Sequence, residues 1–324
     1  MRRSRCSVAL ALVLIAPTVT AQTTDEVVAA GAAFLLFPVG ARAAALGQAA
    51  VANTGSGELA FWNPAGLAAL RQSELGLHHA NTFVSNNTVV SAHVMSRDLG
   101  VIGIAGYLVD FGSQVVTRPT GQPAGRISLK NLELLASYAT VIAGSLSVGL
   151  NYKLIQFRHD CSGDCALFPS VTGTTHGLDV GMQYAFGATD ALRLGAAVQH
   201  AGFPLQLENR DQADPLPARV QMGAAYRLQL PRVEGTEATS VQVLVDLQEA
   251  WGSYRDPDLR VGAELTYGES VQLRGGYAWL QSESRGASIG AGFRLGRAVL
   301  DFARVFYATG TFDEPVHLSL RVLL

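Results

Sequence analysis

From Ser73 to Leu324 the chain divides into fourteen stretches of roughly ten residues, nearly all alternating apolar with polar or small side chains. A period of two is the signature of strands with one oily and one wet face. Leu146, Val148, Leu150, Tyr152 and Leu154 interleave with Ser147, Gly149, Asn151 and Lys153, and Leu178, Val180, Met182, Tyr184 and Phe186 interleave with Asp179, Gly181, Gln183 and Ala185. Val220, Met222, Ala224, Tyr226 and Leu228 oppose Arg219, Gln221, Gly223, Ala225 and Arg227 in the same way, as Leu259, Val261, Ala263, Leu265 and Tyr267 oppose Arg260, Gly262, Glu264 and Thr266. A dry core does not accept that much Arg and Gln. A barrel closed in lipid does, with the apolar set against acyl chains, the polar set around a wet lumen and no unpaired edge. The expected fold is all-β: a 14-stranded antiparallel transmembrane barrel over residues 73–324.

The N-terminus has the three parts of a secretory signal peptide: Arg2, Arg3 and Arg5, then the short apolar run from Val8 to Ala16, then Val19-Thr20-Ala21 before Gln22. Cleavage after residue 21 leaves 21 basic against 26 acidic residues, a net charge of −5. A mildly acidic chain without a basic patch is a poor nucleic-acid binder. Beyond the signal no apolar run of about eighteen residues exists, so any spanning is by strands. The expected location is the bacterial outer membrane, with its lipid as the first partner.

Two cysteines remain after cleavage, in His159-Asp160-Cys161-Ser162-Gly163-Asp164-Cys165. An even count in an exported chain points to a local disulfide between Cys161 and Cys165. The alternative makes His159, Cys161 and Cys165 zinc ligands with an Asp as the fourth, without the second ligand pair that zinc sites usually draw from elsewhere. Links between strands alternate in length. Ser96–Gly100, Ala143–Ser145, Gly187–Ala191, Gly268–Glu269 and Gly296–Arg297 are turn-like, whereas Gly112–Arg126, Arg158–Thr174 and Gly202–Pro217 are long, and Pro231–Glu237 exceeds a minimal turn. Short periplasmic turns and long outside loops are the outer-membrane pattern, which places both termini in the periplasm and the cysteine loop outside.

Residues 22–72 precede the strands. They contain Phe34-Leu35-Leu36-Phe37-Pro38-Val39-Gly40-Ala41-Arg42, Gly47, and Trp62-Asn63-Pro64-Ala65-Gly66-Leu67. This stretch resembles the N-terminal signature of the PorV/PorQ family of outer-membrane proteins, and through Asn63-Pro64-Ala65-Gly66 it is similar to the FadL-type long-chain fatty-acid transporters. The resemblance implies a 14-stranded barrel whose N-terminal segment is a plug or hatch, with Gly40, Arg42, Gly47, Trp62, Asn63, Pro64, Ala65 and Gly66 as the plug motif. Two departures stand out. The acidic pair usual before the tryptophan motif is replaced by Gly55-Ser56-Gly57 with a single Glu58, and the chain ends in Leu324 rather than an aromatic residue. Independently, Gly40, Gly47 and Gly66 permit tight bends and Asn63-Pro64 initiates a turn. The competing reading is an amphipathic helix lying in the periplasm.

Catalytic motifs are not supported: the Gly-x-Ser-x-Gly match at Gly286-Ala287-Ser288-Ile289-Gly290 sits inside a strand pattern instead of turning from a strand into a helix, and no His-Glu-x-x-His and no phosphate-binding Gly-x-x-x-x-Gly-Lys occurs. His78 and His79 are consecutive in a strand and point to opposite faces, so they do not share a ligand field. No enzyme activity, cofactor or metal is expected. The aromatics Trp251, Tyr254, Trp279, Phe306, Tyr307 and Phe312 fall near strand ends, as in an interfacial girdle. The function expected first is the one the PorV/PorQ resemblance implies, a part in type IX secretion and surface attachment of exported proteins, with secreted cargo proteins and secretion components as partners. The alternative, implied by the FadL-like architecture, is transport of long-chain fatty acids or other hydrophobic small molecules.

Overall fold

The computed structural model of the protein describes residues 31–164, 170–187, 189–207, 213–231, 237–253, 257–268, 270–280, 285–307 and 314–324. The signal-peptide reading and Cys165 therefore lie outside the described residues. Fourteen antiparallel strands close a barrel: β1 (Glu74–Asn81), β2 (Asn86–Ser96), β3 (Gly100–Thr117), β4 (Pro123–Ala143), β5 (Leu146–Gly163), β6 (Val171–Phe186), β7 (Leu192–Gly202), β10 (Arg219–Gln229), β11 (Thr239–Ala250), β12 (Asp258–Tyr267), β13 (Val271–Trp279), β14 (Gly286–Leu295), β15 (Ala298–Tyr307) and β16 (Val316–Leu323). A two-stranded hairpin, β8 (Leu205–Gln206) with β9 (Ala213–Asp214), sits in the β7–β10 connection. Closure is made by β1 against β16, from Glu74 opposite Leu323 to Asn81 opposite Val316. The terminal Leu324 extends the seam by donating its N–H to the Ser73 carbonyl at 2.9 Å.

The alternation resolves as the period of two demands. Leu178, Val180, Met182, Tyr184 and Phe186 are exposed on the outer wall, while Asp179, Gly181, Gln183 and Ala185 are buried inside. An outward band of Leu, Val, Ile, Phe and Tyr around a polar interior belongs in lipid. Trp251 and Trp279, at or just beyond the ends of β11 and β13, are exposed, and Tyr254 and Phe312 lie outside the described residues.

Two expected loops are mostly strand. β3 and β4 pair through Val116 opposite Gly125, leaving a tight turn in which Arg118 N–H donates to Gln122 O at 2.8 Å. β5 and β6 likewise continue to Gly163 and from Val171. Gly112, Ser113, Pro119 and Pro123 read as loop signals, yet the irregularity between Asp110 and Ser113 absorbs the glycine without ending the ladder. At 21 residues, β4 is about 70 Å long, well beyond the band of about 25 Å that lipid covers. The four strands therefore project from the long-loop end.

Residues 31–72 lie inside the barrel. They form 3-10 turns at Ala33–Leu36, Gly57–Phe61 and Pro64–Ala69 and one helix, α1, at Ala41–Ala45. Elements this short do not persist alone in water, so the barrel wall holds them. Gly31 N–H donates to Pro215 O at 2.8 Å in the β7–β10 connection, so the first described residue sits at the end of the barrel opposite Leu324. The segment threads the lumen from the long-loop end to the short-turn end.

Candidate functional site

Side chains of β5, β6, β7, β11, β14 and β16 bind the segment's backbone. Ser319 of β16 accepts from Ala41 N–H at 3.0 Å, and Ser288 of β14 accepts from Gly47 N–H while donating to Ala45 O, both at 3.0 Å. Asp246 of β11 takes the N–H groups of Ala50 and Val51 on one oxygen at 2.6 and 2.8 Å. Gln183 of β6 donates to Val51 O and Asn53 O, Gln199 of β7 to Phe61 O and Trp62 O, and Asn151 of β5 to Ala60 O, all within 3.0 Å. Buried irregular backbone must find such partners, so these lumenal side chains fix where it runs.

Glycines make room for it. On the wall, Gly149 faces Pro64, Gly181 faces Asn63, Gly195 faces Val51 and Gly276 faces Gly47, each so closely that a side chain's first carbon overlaps the segment. Several are cross-strand partners: Gly149 with Gly181, Gly195 with Gly223, and Gly262 with Gly276. The pairs form a recess that the segment fills. Gly47 answers from the other side, with φ +63° and Tyr277 N only 2.6 Å from where its Cβ would stand.

The motif residues occupy distinct places. Asn63 caps Ala65 N–H at 3.0 Å and donates to Val51 O at 2.7 Å, so it turns the chain at Pro64 and ties two passes of the segment together. Trp62 is buried and its indole N–H donates to Val39 O at 2.8 Å. Gly66 lies against Asn53 O, and Ala65 is fully buried. Gly40, with φ +92°, abuts Glu58. Arg42 clamps Glu264 with two bonds, Nε to Oε2 at 2.8 Å and Nη2 to Oε1 at 2.7 Å, and reaches Thr54 O with Nη1 at 2.7 Å. Burial works against the Arg42 charge, but Glu264 outweighs it and raises its pKa.

The departure at residues 55–58 has a local reason. A side chain at Gly57 would strike His93 and Glu74, whose Oε1 accepts Gly57 N–H at 2.5 Å. β1 thus brings a carboxylate to this turn. Glu58 itself is buried, and burial pushes its carboxyl up to about 7 against the pull of Arg321.

Two charge networks line the wall. In one, Arg274 joins Glu264 and Asp301, both at 2.6 Å, and Arg321 joins Asp301 at 3.3 Å and Glu74 at 3.6 Å. In the other, Lys153 meets Asp179 at 2.9 Å, His200 Nδ1 at 3.0 Å and Glu133 at 3.1 Å. Lys153 completes its charge only because three strands meet it, a grouping that alternation alone did not reveal. His78 is lumenal and stacks on His317 with ring centroids 5.6 Å apart, while His79 faces outward and contacts Thr88. Among the described residues no cluster of metal-ligating side chains occurs.

The lumen is divided by polarity. Towards the long-loop end, Phe34, Leu35, Phe61 and Trp62 of the segment pack with Tyr107, Val109, Leu135, Ile155, Leu205 and Leu216, with Phe37, Phe111 and Phe157 against them. At the short-turn end a cavity of ≈ 790 Å³ is lined by Arg42, Arg71, Arg193, Arg227, Arg274, Arg294 and Arg321 among other residues, with Glu74, Asp190 and Glu264 as its acids.

A closed 14-stranded antiparallel barrel with an apolar belt and a polar interior is an outer-membrane β-barrel. The solved structures it resembles agree. The Ralstonia pickettii toluene transporter TbuX matches with a TM-score of 0.59 at 15% identity, over 87% of this chain and 97% of that one. The CymD monoaromatic hydrocarbon channel matches with 0.60 at 15%, over 88% and 97%. A Pseudomonas aeruginosa FadL homologue matches with 0.51 at 12%, over 88% and 98%. At these identities the likeness is one of fold. No protein-family model and no curated protein matches the sequence.

Proposed function

We propose that the protein is an outer-membrane transporter of hydrophobic small molecules, with residues 31–72 as its plug. The observation that carries this reading is the apolar sector of the lumen, where Phe34, Phe37 and Phe61 of the segment meet Tyr107, Phe111 and Phe157 of the wall. Lumenal positions of a water-filled barrel are polar, so aromatic and aliphatic side chains here favour an apolar guest. The barrels of similar fold include a toluene transporter and a monoaromatic hydrocarbon channel, which supports a small hydrophobic compound as the guest. The plug motif has a mechanical part: Asn63, Arg42 and Gly47 anchor the segment to the wall, and passage requires some of these bonds to exchange.

A second reading, a part in type IX secretion and surface attachment, draws on the resemblance of residues 34–68 to PorV/PorQ. Deleting the gene separates the two. Transport predicts slower uptake of a monoaromatic hydrocarbon with surface proteins in place. Secretion predicts surface proteins stranded in the periplasm with uptake unchanged, and that outcome would overturn the transport reading.

A further inference from the structure

The arginines at the short-turn end exceed what the wall needs to neutralise. Arg42, Arg274 and Arg321 are matched by Glu264, Asp301 and Glu74. Arg71, Arg193 and Arg227 line the same cavity, and none of the three has an ion pair among the described residues. Arg193 and Arg227 project from neighbouring strands, with Arg193 opposite Ala225 in the ladder. Arg227 feels the like charges of Arg42, Arg193 and Arg71. Asp190 is within electrostatic reach of Arg193 without closing an ion pair. Like charges held together at the rim of a low-dielectric wall repel one another unless a counter-charge joins them. Guanidinium forks match the oxygens of phosphate and carboxylate groups.

We propose that this vestibule is a binding site for a small soluble anion bearing two or more phosphate or carboxylate groups. Arg193 and Arg227 hold one group, and Arg71, contributed by the N-terminal segment to the same cavity, holds the other. The ≈ 790 Å³ volume admits a molecule of metabolite size rather than a folded domain. Arg193 and Arg227 alternate along their strands with the outward-facing Leu194, Tyr226 and Leu228, so the site faces the barrel interior and not the bilayer, and its ligand arrives from solution and not as a lipid headgroup. It is separate from the apolar sector and does not depend on which compound the barrel transports.

The test uses the full-length mature protein in non-ionic detergent, titrated calorimetrically with pyrophosphate at constant ionic strength. Saturable binding of one pyrophosphate per chain is expected. It weakens by about tenfold or more in an R193Q/R227Q variant. R118Q, which removes a charge at the opposite end, leaves it unchanged. Pyrophosphate is also expected to protect Arg193 and Arg227 of the wild-type protein from phenylglyoxal, read by mass spectrometry, which needs no variant to fold. No saturable binding, equal weakening by R118Q, or equal modification with and without pyrophosphate would each overturn the site.

Discussion

Replacing Gly47 by valine tests whether the segment is held by fit to the wall. Gly47 has φ +63°, and an added Cβ would stand 2.6 Å from Tyr277 N, 2.8 Å from Tyr277 O and 2.8 Å from Val261 O. Left-handed backbone costs an L-residue roughly 1–2 kcal/mol, and overpacking against rigid backbone costs about 1–3 kcal/mol. The Gly47 N–H bond to Ser288 is given up on withdrawal by wild type and variant alike, so it leaves the difference unchanged. Docking of residues 41–53 should therefore weaken by about 2–5 kcal/mol, roughly 30- to 4,000-fold in its equilibrium. Hydrogen–deuterium exchange reads this directly, since the amides of Ala50 and Val51 are protected by Asp246 in the docked state. Gly55→Ala is the control: it also has positive φ, but the atom nearest its Cβ position is Arg42 Nη1 at 3.9 Å, so only the backbone cost applies. If Gly47→Val exchanged no faster than wild type, or if Gly55→Ala had the larger effect, docking by backbone fit would be refuted.

Asn63→Ala removes the cap on Ala65 and the bond to Val51 O. It should cost about 1–3 kcal/mol of docking, seen as faster exchange in residues 60–69 with the barrel strands unchanged. Glu58 has its carboxyl pushed up from 4.5 to about 7 by burial, so the docked state takes up a proton that the undocked state releases. Docking is then strongest below about pH 4.5 and weakens as pH rises through about 7, and Glu58→Gln should flatten that dependence of plug exchange between pH 5 and 8. The alternation of link lengths orients the barrel. With Cys161 and Cys165 replaced, a cysteine at Gln122 should react with an impermeant maleimide on intact cells and one at Thr189 should not; labelling at Thr189 alone would invert the orientation.

Strand count, facing and closure were legible because lipid and lumen impose opposite polarity on alternate residues, as Leu150 and Asn151 or Met182 and Gln183 show. The projecting parts of β3 to β6 were not, because beyond the bilayer neither solvent nor lipid enforces alternation and Gly112, Pro119 and Pro123 read as loop. Lumenal glycines registered as members of the polar face; their meaning lies in pairs such as Gly149–Gly181 and Gly262–Gly276, which depend on register between strands. The apolar sector was hidden for a related reason: Ile155 and Phe157 continue the inward face of β5 after Asn151 and Lys153, so the lumen changes polarity along a single strand. Arg42 and Asn63 were visible as motif residues, while their partners Glu264 and Val51 are distant in sequence.

The central claim, that the N-terminal segment closes this barrel, is tested most directly by the conductance of the purified protein in planar lipid bilayers with and without residues 22–72. Removing them deletes the segment that the lumenal Ser288, Gln183, Gln199 and Asp246 hold in place and should convert a closed barrel into a steadily conducting one. Conductance of the truncated barrel, correctly folded, equal to that of the intact protein would contradict the account.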